Sequence, residues 1–232
     1  MKRFYKAVAV TPERGIALDG RPVRTPGKLP LILPNAGLAE AVAAEWRAQG
    51  DGVVPQSMPL TGLANAAIER VAPDATGFAM GLAVYAESEL LCYRADAPPE
   101  LVARQVVVWD PILEWARCRY DVSFTLVTGI MHHPQPSETL TRLRAAICNN
   151  GPFELAALSP IVTISGSLVI ALAVAEDAIT PEAAFDAAHL DELWQAEQWG
   201  EDWMAEEQRA AHRADFTAAA RFLELLVPPA SA

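Results

Sequence analysis

The chain has 232 residues, 52% of them hydrophobic, and a formal net charge of −11 from 18 Lys and Arg against 29 Asp and Glu. That length and apolar content suffice for a sizeable core in one large domain or two small ones, and they argue against a disordered chain. The shortage of cations, which are scattered rather than clustered, argues against nucleic acid and against anionic membrane surfaces as partners.

The N-terminus, Met1-Lys2-Arg3-Phe4-Tyr5, lacks an apolar signal core, so the protein is expected to stay in its compartment of synthesis. Alternating residues over 5–10, a turn at 11–15, a second run over 16–18 and the Asp19-Gly20 pair predict a tight hairpin. Short strands over 22–27 and 29–33 would complete a small antiparallel sheet. A helix follows over 37–49, with Leu38, Ala41, Val42 and Trp46 at helical spacing, Glu45 as the exception, and Gly50 as its stop. Another is expected over 61–71, capped by Thr61.

Beyond Pro73 the period becomes 3.6. Asp74 is expected to cap a helix reaching Glu89, and Pro98-Pro99 to open a long one over 100–120 that Pro111 kinks or divides. The pattern then predicts an isolated strand over 123–127 and helices over 137–148, 159–177 and 181–226, the last bending at Gly200. The expected fold class is α+β: a β-rich domain over 1–75, then an all-helical domain over 76–232, the two sharing an interface rather than a tether. The uncharged run 155–175 reads as a buried core helix rather than a membrane span, because Pro160, Ser165 and Ser167 interrupt it and no cationic flank or aromatic belt accompanies it.

The usual catalytic signatures are absent: there is no G-x-S-x-G, H-E-x-x-H, P-loop or G-x-G-x-x-G after a strand. Cys92, Cys118 and Cys148 lack C-x-x-C spacing and read as buried free thiols, while His132-His133 reads as a solvated loop pair and His189 stands alone. No metal or cofactor is expected. What remains is charge. Between Arg144 and Arg209 there is no Lys or Arg but there are twelve carboxylates, and the end of that stretch holds Trp194, Trp199 and Trp203, three of the six tryptophans. On a helical wheel Phe185, Leu193, Ala196, Trp199, Gly200, Trp203 and Met204 share one face, and Asp191, Gln195, Gln198 and Asp202 form a polar stripe opposite. Acids beside large aromatics have the make-up of an interface, with Trp supplying buried area and carboxylates supplying orientation. The candidate partner-binding residues are therefore Asp191, Glu192, Trp194, Gln195, Gln198, Trp199, Glu201 and Asp202; Trp46, Trp109 and Trp115 are expected to be structural. The competing reading is a hydrolase using a pair of carboxylates from the same stretch.

Seven blocks, RFYK at 3–6, GIALDGRPVRTP at 15–26, AAEWRAQ at 43–49, MPLTGLANAAI at 58–68, ELLCYRADAPPEL at 89–101, QVVVWDPILEWA at 105–116 and LDELWQAEQWGED at 190–202, run in order along nearly the whole chain. Together they resemble the assembly-chaperone family for the α subunit of the F-type ATP synthase head, in a bacterial member. The resemblance implies a non-enzymatic protein that holds the new α subunit, covers the surface it will present to β, and releases it into the hexamer, with no small-molecule substrate. It also implies a β-containing N-terminal and a helical C-terminal domain, an essential acid at Asp191 and a folding role for Trp46. Where relatives carry Asp-Thr-Asp, this chain reads Glu87-Ser88-Glu89.

Overall fold

The computed structural model describes residues 2–200 and 202–227. The elements are β1 Val8–Val10, β2 Ile16–Leu18, β3 Arg21–Pro22, α1 Ala36–Arg47, α2 Pro59–Ala66, α3 Ala75–Ala83, β4 Tyr93–Arg94, α4 Pro99–Tyr120, β5 Val127–Thr128, α5 Ser137–Cys148, α6 Pro152–Ser165, α7 Leu168–Ala175, α8 Pro181–Ala188, α9 Leu190–Trp199 and α10 Trp203–Leu226. The fold is α+β, as the change of period indicates: a small antiparallel sheet at the N-terminus and a remainder that is mostly helical. Two compact units form. The first takes in the described residues of 1–75 and, beyond the stretch read as the β-rich domain, of 151–157 and 221–232; the second is 76–150 with 158–220.

In the first unit β2 pairs with β1 and β3, Val10 facing Ile16 and Leu18 facing Arg21, and Asp19 makes the turn at φ 48°. The Asp19 carboxylate accepts from the Lys6 and Ala7 amides, which pins the start of β1. The strands expected over 22–27 and 29–33 shrink to β3 and two single bridges, Gly15 with Ile32 and Arg24 with Pro30. Pro22, Pro26 and Pro30 carry no N–H, so a longer ladder has no donors there. Trp46 of α1 packs with Val8 and Val23 against the buried cluster of Tyr5, Leu18, Val53 and Met58, and meets the Tyr5 ring edge to face at 5.7 Å. The late segments join this unit through apolar and polar contacts that lie far apart in sequence. Phe153 stacks on Phe222 at 6.4 Å, and the Asn35 side chain, which caps α1 by accepting from Leu38 N–H, donates to the carbonyls of Leu225 and Leu226.

Helix α2 begins at Pro59, and Thr61 is not its cap. Glu45, the acid that interrupts the apolar face of α1, supplies the missing acceptors: its carboxylate takes the amides of Leu60 (2.7 Å) and Thr61 (2.8 Å) and the Thr61 hydroxyl (2.7 Å). A helix start leaves amides without intrahelical partners, and a side chain from another helix meets that need as well as a local cap does.

In the second unit α4 runs unbroken through Pro111. The proline lies on the exposed side, so the Val107 carbonyl it deprives of a donor faces water. The uncharged run expected as one helix is two, because Gly166 at φ 66° ends α6 and Ser167 caps α7 by accepting from Ile170 N–H at 2.9 Å. Residues 168–174 of α7 are all buried, with α4 and α8 packed on it, and among the described residues no helix is long and apolar enough to cross a membrane. The strand expected over 123–127 lies at its far end: β5 pairs in parallel with β4, Tyr93 opposite Val127. Cys92 is buried, but Cys118 and Cys148 are exposed, since each follows the buried face of its helix by one or two positions.

Candidate functional site

The last helix expected over 181–226 is three helices. His189 ends α8 and precedes α9, and Gly200, at φ 89° and ψ 162°, ends α9. That conformation is essentially closed to residues with a side chain. The single wheel therefore fails beyond Gly200, and its shared apolar face dissolves: Phe185 is buried in the core, whereas Trp199 and Trp203 are 75% and 70% exposed and Met204 is exposed beside them. Asp202 likewise leaves the expected stripe. It is the cap of α10, its carboxylate accepting from Met204 N–H at 2.9 Å and its carbonyl from Glu206 N–H at 2.9 Å.

Every candidate residue but Glu201 can be placed. Asp191 and Glu192 lie in the first turn of α9, where carboxylates are favoured by the partial positive charge of the helix start. Asp191 is half-buried and accepts from Gln105 Nε2 of α4 at 2.8 Å; Gln105, itself fully buried, uses its Oε1 to accept from Ala95 N–H at 2.9 Å. Glu192, Gln195, Gln198, Trp199 and Asp202 are exposed, and Trp194, half-buried, meets Trp199 edge to face at 5.8 Å. Glu201 lies outside the described residues. Glu192, Gln195 and Trp199 from α9 and Asp202, Arg209 and His212 from the α10 side line a cleft of about 380 Å³. His189 is buried, stacks on Phe185 at 3.9 Å and donates its Nδ1–H to the Phe185 carbonyl at 2.9 Å. Burial, followed by the nearby cations, holds its imidazole below the usual histidine range against the pull of that carbonyl and of Glu192.

Trp46, Trp109 and Trp115 lie elsewhere. Trp109 is buried and donates its indole N–H to the Ala187 carbonyl at 2.8 Å, with the Arg94 guanidinium 5.3 Å from its ring, and Trp115 packs against Tyr120 at 5.6 Å. The buried Trp46 indole N–H has no acceptor among the described residues, and the Tyr5 hydroxyl donates to the Trp46 carbonyl at 2.7 Å.

The acidic block is less bare than its sequence. Arginines from outside it reach in: Arg104 clasps Glu197 with two bonds of 2.6 and 2.9 Å, Arg119 and the Tyr120 hydroxyl hold Glu176, and Arg213 pairs with Asp186 at 2.7 Å. Of the exposed acids of the block that make no ion pair among the described residues, Glu192, Asp202, Glu206 and Glu207 lie on either side of Gly200, while Asp177 and Glu182 lie apart from them. Sequence reasoning missed Gln105 and Arg104. Gln105 left a signal, a polar residue at a core position of α4; Arg104 left none, because its pairing spans 93 residues. Among the described residues no three His, Cys, Asp or Glu side chains are grouped to hold a metal ion.

A family model described as ATP12 chaperone protein matches residues 2–117. The mitochondrial protein atp12 of Schizosaccharomyces pombe is 25% identical over 214 residues, which span 86% of this chain and 74% of that one. The crystal structure of Atp12 from Paracoccus denitrificans aligns with a TM-score of 0.93 at 41% identity, covering 97% of this chain and 98% of the other. The structure of an aspartate-to-lysine mutant of P. denitrificans Atp12p aligns with a TM-score of 0.92 at the same identity and the same coverage.

Proposed function

Since the chain belongs to the ATP12 chaperone family, we propose that it is an assembly factor of the F-type ATP synthase that holds the unassembled α subunit of the catalytic head, promotes its joining with β, and performs no chemical step of its own. The observation that carries this reading is the pairing of two exposed indoles, Trp199 and Trp203, with unpaired carboxylates at Glu192, Asp202, Glu206 and Glu207 around one helix break. An unassembled subunit exposes apolar surface that would otherwise meet its neighbours, together with basic groups that later contact nucleotide. Indoles cover the first, carboxylates orient the second, and neither requires bond making. Asp191, Glu192, Trp194, Gln195, Gln198, Trp199 and Asp202 are the contact residues on this reading, with Trp46, Trp109 and Trp115 supporting the fold, and the bacterial cytoplasm is where the encounter takes place.

Capture of purified α subunit by the immobilised chain tests the proposal. Glu192→Lys should weaken capture at least ten-fold and lower the thermal melt only slightly, because the side chain is exposed, makes no ion pair among the described residues and loses only its favourable place at the start of α9. Asp191→Lys should also abolish capture, and should lower the melt by a few degrees as well, since Gln105 then loses a buried acceptor. Undiminished capture by both variants would remove the site. A wild-type chain that ignores the α subunit but hydrolyses a small ester or phosphate through Glu192 and Asp202 would replace the chaperone by the hydrolase.

A further inference from the structure

The second unit carries a second apolar surface that neither its core nor the α9 cleft accounts for. Ile130 is 95% exposed, Met131 74% and Val107 72%, with Val106 exposed beside it. The loop bearing Ile130 and Met131 is fastened at its base. Gly129, at φ 84°, donates its N–H to the Arg94 carbonyl at 2.8 Å, the Tyr93 hydroxyl bonds His132 Nδ1 at 3.1 Å, and the Gln135 side chain grips both the N–H and the carbonyl of Thr125. A tip held in this way presents its two apolar side chains to solvent, where a folded monomer gains nothing from them.

The surface is continuous with α9. On α4, Val107 lies about 60° around the helix from Arg104 on one side and from Asp110 on the other. Arg104 clasps Glu197 of α9, and Asp110 receives Arg94 at 2.7 Å, whose carbonyl is the one that anchors Gly129. Val107 is thus the exposed strip between the acidic helix and the apolar tip. Gln105, on the buried side of the same helix, ties the same two sides together through Asp191 and Ala95.

Resting on the chaperone reading above, we propose that Val106, Val107, Ile130 and Met131 form an apolar docking face for the same client, taking a hydrophobic face of the unassembled subunit while α9 and the start of α10 take its basic groups. A protein face fits better than a lipid surface. The two cations about Val107 are engaged rather than offered to anionic headgroups, Arg104 by Glu197 and Arg94 by Asp110. Methionine adapts its shape to an irregular apolar partner.

The test uses the full chain with Val107→Asp and Ile130→Asp, the second at a loop tip whose side chain has almost nothing to lose on folding, and reads capture of purified α subunit beside circular dichroism, sedimentation and flotation with anionic vesicles. Each variant should stay folded and capture at least ten-fold less, the double variant nothing measurable. Capture equal to wild type by folded Ile130→Asp and Val107→Asp overturns this inference and leaves the α9 site standing; failure of the wild type itself to capture overturns both. A wild-type dimer, or vesicle binding, that the substitutions abolish while capture persists would assign the face to a second copy or to lipid instead.

Discussion

Glu89 is the one carboxylate in the described structure with no access to solvent at all, and it has no cation among its partners. It accepts from Val169 N–H at 3.1 Å and from Leu91 N–H at 3.4 Å, joining the turn before β4 to the start of α7. Desolvation pushes its carboxyl up to about 7, opposed by the Ser167 hydroxyl and the backbone amides. Because the folded value lies above the unfolded one, the contribution to stability is complete below the unfolded value near 4.5 and is lost as pH rises through about 7. Relative to Glu89→Gln, whose amide does not titrate, the wild type should therefore lose about 3 kcal/mol between pH 4.5 and 8 and nothing further above that. Urea unfolding of both proteins across that range measures the difference; parallel curves would show that Glu89 stays charged throughout. None of this is visible in the string Glu87-Ser88-Glu89, which shows an acid but not the removal of water from it. Asp191 has the same history: its charge and helix position were readable, but its bond to a buried glutamine 86 residues away was not.

Helices in this chain begin and end where backbone groups find partners, and only some of those partners are local. The start of α1 follows from its cap Asn35, that of α4 from Pro99, whose missing N–H needs no partner in a first turn, and α5 spans the very residues its period marks. By contrast α2 relies on Glu45, one helix away. Glu45→Ala would leave two amides and a hydroxyl without their acceptor and should destabilise the first unit by about 2 kcal/mol, with Glu45→Gln intermediate because one carbonyl oxygen remains. Chemical denaturation followed by Trp46 fluorescence would measure this, and an unchanged midpoint would mean that water caps α2 equally well. The same Glu45 appeared in the sequence as a flaw in an amphipathic pattern. A residue that breaks one helix's rule can be satisfying another's, and a one-dimensional wheel has no place for that. The split at Gly166 was hidden for a related reason, since the apolar pattern continues across it and only a positive φ interrupts it, whereas at Gly200 the sequence marks a bend and the structure makes it a full break.

Across the molecule as a whole the charge of −11 is unevenly distributed, with the twelve acids of one stretch set against a remainder near neutrality. Folding redistributes that field by bringing Arg104, Arg119 and Arg213 onto three of those acids, and of the exposed acids left without an ion pair among the described residues four flank Gly200 while Asp177 and Glu182 lie apart. On the proposed function, encounter with a basic client should slow several-fold as salt rises from about 0.05 to about 0.5 M while dissociation changes little, because screening removes steering but not contact. Stopped-flow mixing that follows indole emission would register it, and a salt-independent association rate would take electrostatics out of the encounter. The break itself has one more effect. Trp199 and Trp203 stand on helices whose mutual angle is fixed by a backbone state that only a residue lacking a β-carbon can occupy at ease. The aim of both aromatic rings is thus written at Gly200, a position with no side chain to offer a ligand, and replacing it would redirect the pair while leaving every contact-making side chain chemically intact.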